Sequence, residues 1–206
     1  MAASAQIVMS GNSTPIYFST GRKNLLDVGG GTTHRVLEFY PDGYEIFTLD
    51  KKLGWDIDKQ GLPEGPWSLI FANHIIEHVH DPDFFLLECK RVMDSSSILE
   101  IGTPNLAAWF NRIFFLFGYV PHSMELSKRF NVGKPFDWNK EELGGHIYVY
   151  TPQALVQLLK HHGFYILSVK GERSTFPCQS WAGWMDRVLT DLSPSLASAF
   201  RIKCTL

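Results

Sequence analysis

Four residues, Leu25-Leu26-Asp27-Val28, run without a break into Gly29-Gly30-Gly31, and this junction constrains the fold more than any other stretch. An apolar run ending in glycines reads as a buried strand. Residues 32–40 then carry Val36, Leu37 and Tyr40 at helical spacing until Pro41-Asp42-Gly43 stops them. A tight strand-to-helix turn needs residues without a Cβ, for positive φ and for close approach of a ligand to backbone. The helix start beyond it presents unpaired N–H groups. The next strand, 44–49, ends at Asp50, where a carboxylate can accept from both hydroxyls of a ribose. A dinucleotide fingerprint would need a further glycine where His34 stands. Asp27 would repel a phosphate but suits an ammonium group, so the junction favours a nucleoside bearing an amino acid over NAD. The plainer alternative is a simple glycine turn, with Asp50 capping a loop.

Downstream, strands and helices alternate. Residues 55–58 read as a very short strand and 67–72 (WSLIFA) as a strand covered on both faces. Asp81-Pro82 opens a helix that runs to about residue 93, with Phe85, Leu86 and Cys89 on one face. Residues 97–101 form a strand. Thr151-Pro152 repeats the cap-then-proline signal, Leu155, Leu158 and Leu159 make an apolar face, and Gly163 ends that helix. A strand at 164–169, a helix at 181–192 and a last strand at 200–206 complete the chain. This order predicts an α/β fold with a mostly parallel sheet and right-handed crossovers. Ligands of such sheets bind beyond the carboxyl ends of the strands.

A chain of 206 residues suits one domain, here 21–206 behind a flexible leader at 1–20. The net charge of −2 gives no electrostatic reason to expect nucleic acid. Cys89, Cys178 and Cys204 form no C-x-x-C pair, which fits a reducing compartment, and the leader lacks the pattern of a signal peptide. A cytoplasmic location is expected. The longest apolar stretch, 106–120, is interrupted by Asn111 and Arg112 and is shorter than the roughly 20 residues a bilayer requires.

Several motifs fall in a recognisable order: LLDVGGGTT at 25–33, LD at 49–50, DID at 56–58, WSLIFANHIIEHVHDP at 67–82, ILEIGTPN at 98–105, and GHIYVYTPQAL at 145–155 before HHGF. Over roughly 24–169 the chain resembles the class I (Rossmann-like) S-adenosylmethionine-dependent methyltransferases, in particular the methyltransferase type 11 subgroup. The resemblance implies a Rossmann-like three-layer sandwich whose mostly parallel, seven-stranded sheet has its last strand antiparallel. It implies that Asp27 and the turn Gly29, Gly30 and Gly31 hold the methionine end of S-adenosylmethionine. Asp50 would take the ribose, with Lys51 or Lys52 flanking the adenine. Ile57 and Asp58 would meet the adenine face and its amino group, with Asp56 as a substitute, and Asn73 and His74 would lie beside the sulfonium. Thr33 stands where that family usually has a glycine or another small residue.

The implied function is transfer of a methyl group to an oxygen or nitrogen of a small molecule, glycan or lipid-linked acceptor. A hydroxyl acceptor needs a nearby base, for which His146 is the first candidate and His78 the second. His146 merely orienting a loop is the plainer account. Residues 105–145 form an insertion expected to be an acceptor lid. Phe110, Phe114 and Phe117 recur there at helical spacing beside Trp109, Ile113 and Leu116, predicting a helix that packs over the pocket. Weak contact with a membrane surface through 106–120 is an alternative use of the same face. His74-Ile75-Ile76-Glu77-His78 also fits H-x-x-E-H, in which two histidines on a helix share zinc and the Glu acts as base. A zinc hydrolase using His74, Glu77 and His78 is therefore one rival reading, and a non-catalytic nucleoside-binding domain is another. The motif follows directly on a strand, and Asp81-Pro82 opens a new helix soon after. No metal ligand is assigned on that ground, and Glu77 and His78 are expected to close the loop beneath the cofactor.

Overall fold

A computed structural model describes residues 5–8, 23–31, 35–135, 143–173 and 181–206. In chain order they form β1 (Ala5–Val8), β2 (Lys23–Val28), α1 (Val36–Phe39), β3 (Tyr44–Leu49), α2 (Ile57–Gln60), β4 (Leu69–Asn73) and α3 (Pro82–Arg91). Then follow β5 (Ile98–Pro104), α4 (Trp109–Leu116), α5 (Pro152–His161), β6 (Tyr165–Glu172), α6 (Trp181–Leu192) and β7 (Ala199–Thr205). The seven strands lie in the order β1-β3-β2-β4-β5-β7-β6. All neighbours pair in parallel except β7, which runs antiparallel to both β5 and β6.

Side chains alternate across each strand with a period of two, and apolar residues occupy both faces. On one face Leu26, Val28, Ile70 and Leu99 share a core with Phe85 and Leu86 of α3 and Leu155 and Leu159 of α5. On the other, Leu25, Ile46, Leu69 and Phe71 meet Val36 of α1. Burial of each such side chain stabilises the fold by about 1.5–3 kcal/mol. Both expected caps form: the Asp81 carboxylate accepts from Phe84 N at 2.9 Å, and Thr151 Oγ1 accepts from Ala154 N at 3.1 Å.

Three expectations need correction. Residues 55–58 are not a strand. The Gln60 side chain accepts from Asp56 N at 2.7 Å, which closes the single turn of α2, and Gly61 with φ 66° ends it. The seventh strand is instead β1, which falls inside the 1–20 leader and pairs along β3 from Ala5↔Glu45 to Val8↔Thr48. The helix expected over 32–40 is described as the single turn α1, with 32–34 outside the described residues. No helix among the described residues is long and apolar enough to cross a membrane.

Candidate active site

The chain leaves β2 for β3 on one side and returns to β4 on the other, so β2 pairs with both and a crevice opens at their carboxyl ends. The glycine turn fills its floor. Gly29 has φ 75° and donates its N–H to Leu49 O at 2.7 Å; a Cβ there would stand 1.8 Å from Ile75 Cδ1. A Cβ on Gly30 would stand 1.9 Å from Asp27 Oδ2. At Gly31, with φ 55°, a Cβ would lie 3.5 Å from Asp50 Oδ2. The turn and the acid at the end of β3 therefore meet, as the nucleoside reading requires.

Beside them lies a cavity of about 220 Å³ whose walls include Gly29, Asp50, Lys51, Ile57, Asp58 and His78. Asp50 Oδ1 accepts from Lys52 N at 2.7 Å, while its Oδ2 faces the glycine turn. Lys51 Nζ sits 3.3 Å from the Asp56 carboxylate. Asp58 already accepts from His80, from the backbone N at 3.0 Å and the ring at 2.8 Å, so hydrogen bonds of its own orient it. Lys52 contributes backbone to the Asp50 cap and is not part of the wall. Sequence reasoning missed Trp55, Ile75 and Val79 in this wall. The indole of Trp55 is locked by donation to Gly61 O at 2.9 Å and offers a flat apolar surface.

Asp27 is buried behind the turn at 2% exposure. Burial pushes its carboxyl up to about 7; a hydrogen bond from Thr48 opposes the shift and the charge of Asp50 adds to it. A carboxyl so poised is half neutral near pH 7 and becomes a stable carboxylate once a cation arrives.

Asn73 and His74 occupy a different wall. They line a second cavity, of about 690 Å³, together with Arg35, Glu38, Arg173 and Asp191. Among the described residues Asn73 Oδ1, which is buried, has no hydrogen-bond partner, and it stands 2.1 Å from the place of a Cβ on Gly102. His74, with φ 58°, points its ring Nδ1 at Glu77 Oε1, 3.1 Å away. The backbone from His74 to Ile75 thus passes from the wall of one cavity to the wall of the other.

The two candidate bases are brought together: the rings of His78 and His146 are 4.9 Å apart. His78 Nδ1 bonds Gly145 O at 3.2 Å and His146 Nδ1 bonds Ser123 O at 2.9 Å. Glu77 O accepts from Ile147 N and Tyr148 N at 2.7 and 3.1 Å, which clamps the 145–148 loop onto the turn after β4. The helix needed by the H-x-x-E-H reading does not form, since 76–78 are a turn. The group able to share a cation joins Glu77 and His78 to His146, not to His74.

The lid expectation also changes. Trp109 and Phe110 are buried and pack with Phe114 against Met185 and Leu189 of α6 and against Leu196. No described residue of 105–145 is in the wall of the smaller cavity. Phe117 lies past the end of α4, before Gly118 at φ 80°, and is 71% exposed instead of sharing the buried face.

A family model described as "Methyltransferase domain" matches residues 15–169. No curated protein matches the chain. Among solved structures, an S-adenosylmethionine-dependent methyltransferase from Mesorhizobium loti matches with a TM-score of 0.55 at 15% identity, over 90% of this chain and 92% of that one. One from Archaeoglobus fulgidus matches with a TM-score of 0.53 at 17% identity, over 90% and 87%. The 1,6-didemethyltoxoflavin-N1-methyltransferase of Burkholderia thailandensis, with bound 1,6-didemethyltoxoflavin and S-adenosylhomocysteine, matches with a TM-score of 0.51 at 12% identity, over 90% and 72%.

Proposed function

The chain belongs to the methyltransferase-domain family, and on that premise we propose that it transfers the methyl group of S-adenosylmethionine to an oxygen or nitrogen of a small molecule, glycan or lipid-linked acceptor. The observation that carries this reading is the meeting of the Gly31 turn with Asp50, which lines the 220 Å³ cavity together with Gly29. Asp50 would accept hydrogen bonds from the ribose hydroxyls. Ile57 and Trp55 would face the adenine, with Lys51 and Asp58 flanking it. Gly29, Gly30 and Gly31 would carry the methionine end, where Asp27 would pair with the ammonium. Asn73 and His74, in the wall of the larger cavity, would lie beside the sulfonium.

In the transfer, an acceptor lone pair forms the new bond to the methyl carbon as the carbon–sulfur bond breaks. The electrons of that bond remain on sulfur, leaving S-adenosylhomocysteine. The sulfonium supplies the reactivity, so the chain contributes alignment and exclusion of water. A hydroxyl acceptor must also lose its proton, for which His146 is the first candidate and His78 the second. The small-molecule end of the acceptor range is supported by the ligand of the Burkholderia structure. The exposed Phe115, Leu116 and Phe117 support the lipid-linked end and weak contact with a membrane surface through 106–120.

Incubation with methyl-labelled cofactor and a panel of hydroxyl and amine acceptors tests the proposal. Label should move to an acceptor, with stoichiometric formation of S-adenosylhomocysteine. Cofactor binding with no transfer to any member of a broad panel would favour the non-catalytic binding domain instead.

A further inference from the structure

Glu77, His78 and His146 each offer one donor atom, and these atoms all lie within 4.8 Å of one another. The two imidazoles are held in a particular state. A backbone carbonyl only accepts, so the contacts of His78 Nδ1 with Gly145 O and of His146 Nδ1 with Ser123 O require a proton on each Nδ1. In the neutral ring that leaves a lone pair on each Nε2. Metal-binding histidines carry this same arrangement, in which a carbonyl fixes the tautomer and aims the free nitrogen.

The third member is a carboxylate at 1% exposure. Glu77 accepts from Thr103 Oγ1 at 3.0 Å and lies 3.1 Å from the His74 ring, its only ion-pair partner among the described residues. A buried carboxylate without Lys or Arg is costly unless a cation joins it. Each of its oxygens has further lone pairs to give. Two imidazoles, each with one nitrogen not engaged by a carbonyl, and a buried carboxylate therefore lie close together, and among the described residues no Lys or Arg pairs with Glu77.

We infer that Glu77, His78 and His146 form a binding site for a divalent first-row cation at the wall of the cofactor cavity. Three donors sharing a cation at bonds of about 2.1 Å lie roughly 3.4–3.6 Å apart, so loading closes the three from within 4.8 Å of one another by up to about 1.4 Å. The clamp of Ile147 and Tyr148 on Glu77 O keeps the two loops in register for this closure. Two imidazoles and one carboxylate suit Zn²⁺, Mn²⁺, Fe²⁺ or Co²⁺ better than Mg²⁺ or Ca²⁺. Three protein ligands leave coordination positions open for an outside oxygen. His78 belongs both to the triad and to the cavity wall, so a ligand in that cavity would lie beside the site. The site deepens the methyl-transfer reading and rests on it for its role. There a cation would polarise an acceptor hydroxyl and make its proton easier to lose, with Glu77, His78 and His146 holding it in place.

The test is titration of Co²⁺ into chelator-stripped full-length protein, followed by visible absorption and by calorimetry. The wild-type chain should take up about one equivalent and develop the visible bands of nitrogen-ligated cobalt, and Zn²⁺ should displace it. His146→Ala and Glu77→Gln should each weaken uptake by more than about tenfold, whereas His162→Ala, at a surface pair with Asp83, should not. Absence of uptake by the wild-type chain, or equal uptake by His146→Ala, would overturn the inference. S-adenosylhomocysteine titrated into the same samples reports on the cofactor site separately, because His146 is not in its wall. Retained binding by His146→Ala also shows that this variant is folded.

Discussion

Asp27 shows how one carboxyl can serve recognition at a cost to stability. Its ordinary value of 3.8 in the unfolded chain rises to about 7 in the fold. Between those values the folded state binds more protons than the unfolded one, so stability falls as pH rises through that window and levels off above it. Asp27→Asn removes the titration: urea midpoints of the unliganded variant should stay flat across the window and exceed those of the wild type at pH 8. The same change removes the partner of the ligand's ammonium, and affinity for S-adenosylhomocysteine should drop. Wild-type affinity should itself fall below pH 7, by up to about tenfold per pH unit, as protons compete with the ammonium. The parts of the site that sequence made legible are of this local kind. Asp27 lies one residue before the end of β2, and Gly29 and Asp50 directly follow strands, so a few adjacent residues carry the signal. Trp55 was hidden because an apolar side chain beside Asp56 and Ile57 looks the same in a short strand and in a cavity wall.

At the scale of elements, the glycine turn joins β2 to α1 and shapes the cavity floor. Gly29→Ala meets both a left-handed φ of 75° and the Ile75 side chain 1.8 Å away. It should cost roughly 2–4 kcal/mol in urea unfolding and abolish binding of S-adenosylhomocysteine. Gly43 has φ 89° but nothing within 4 Å of a Cβ, so Gly43→Ala should cost only about 1–2 kcal/mol and leave binding intact. The difference between the two isolates the close packing from the backbone strain. Elements with caps were legible from sequence: Asp81-Pro82 and Thr151-Pro152 both start helices where expected. Residues 55–58 were not, because the bond between Gln60 and Asp56 N that turns them into α2 has no apolar periodicity. The histidine triad was hidden for another reason. H-x-x-E-H suggests a pairing four residues apart, whereas His146 reaches Glu77 and His78 only through the docking of a distant loop.

At the scale of the whole molecule, alternating apolar runs were enough to predict a mostly parallel sheet, while the antiparallel last strand came only from the family resemblance. They could not show that the edge beside β3 is occupied by Ala5–Val8, a segment too short to carry a pattern. Nor could they show how β7 is held between β5 and β6. There Glu100 of β5, 1% exposed, bonds Arg201 at 2.9 Å and Lys203 at 3.1 Å, both on β7. Arg201 also pairs with Glu172 of β6 at 2.6 Å and lies 3.7 Å above the Phe39 ring of α1. Glu100→Ala leaves the buried Arg201 with Glu172 as its remaining carboxylate, so it should lower unfolding free energy by about 2–4 kcal/mol, less than full loss of a buried pair. Because the cluster is away from the walls of the 220 Å³ cavity, folded Glu100→Ala should still bind S-adenosylhomocysteine.

Isothermal titration of S-adenosylhomocysteine into the full chain tests most directly whether the bend after β2 and the acid after β3 grip one ligand. Wild-type protein should give saturable heat at about one equivalent, and Asp50→Ala, folded by circular dichroism, should bind about 10–100-fold more weakly. No heat with the wild type, or an affinity that Asp50→Ala leaves unchanged, would contradict the account.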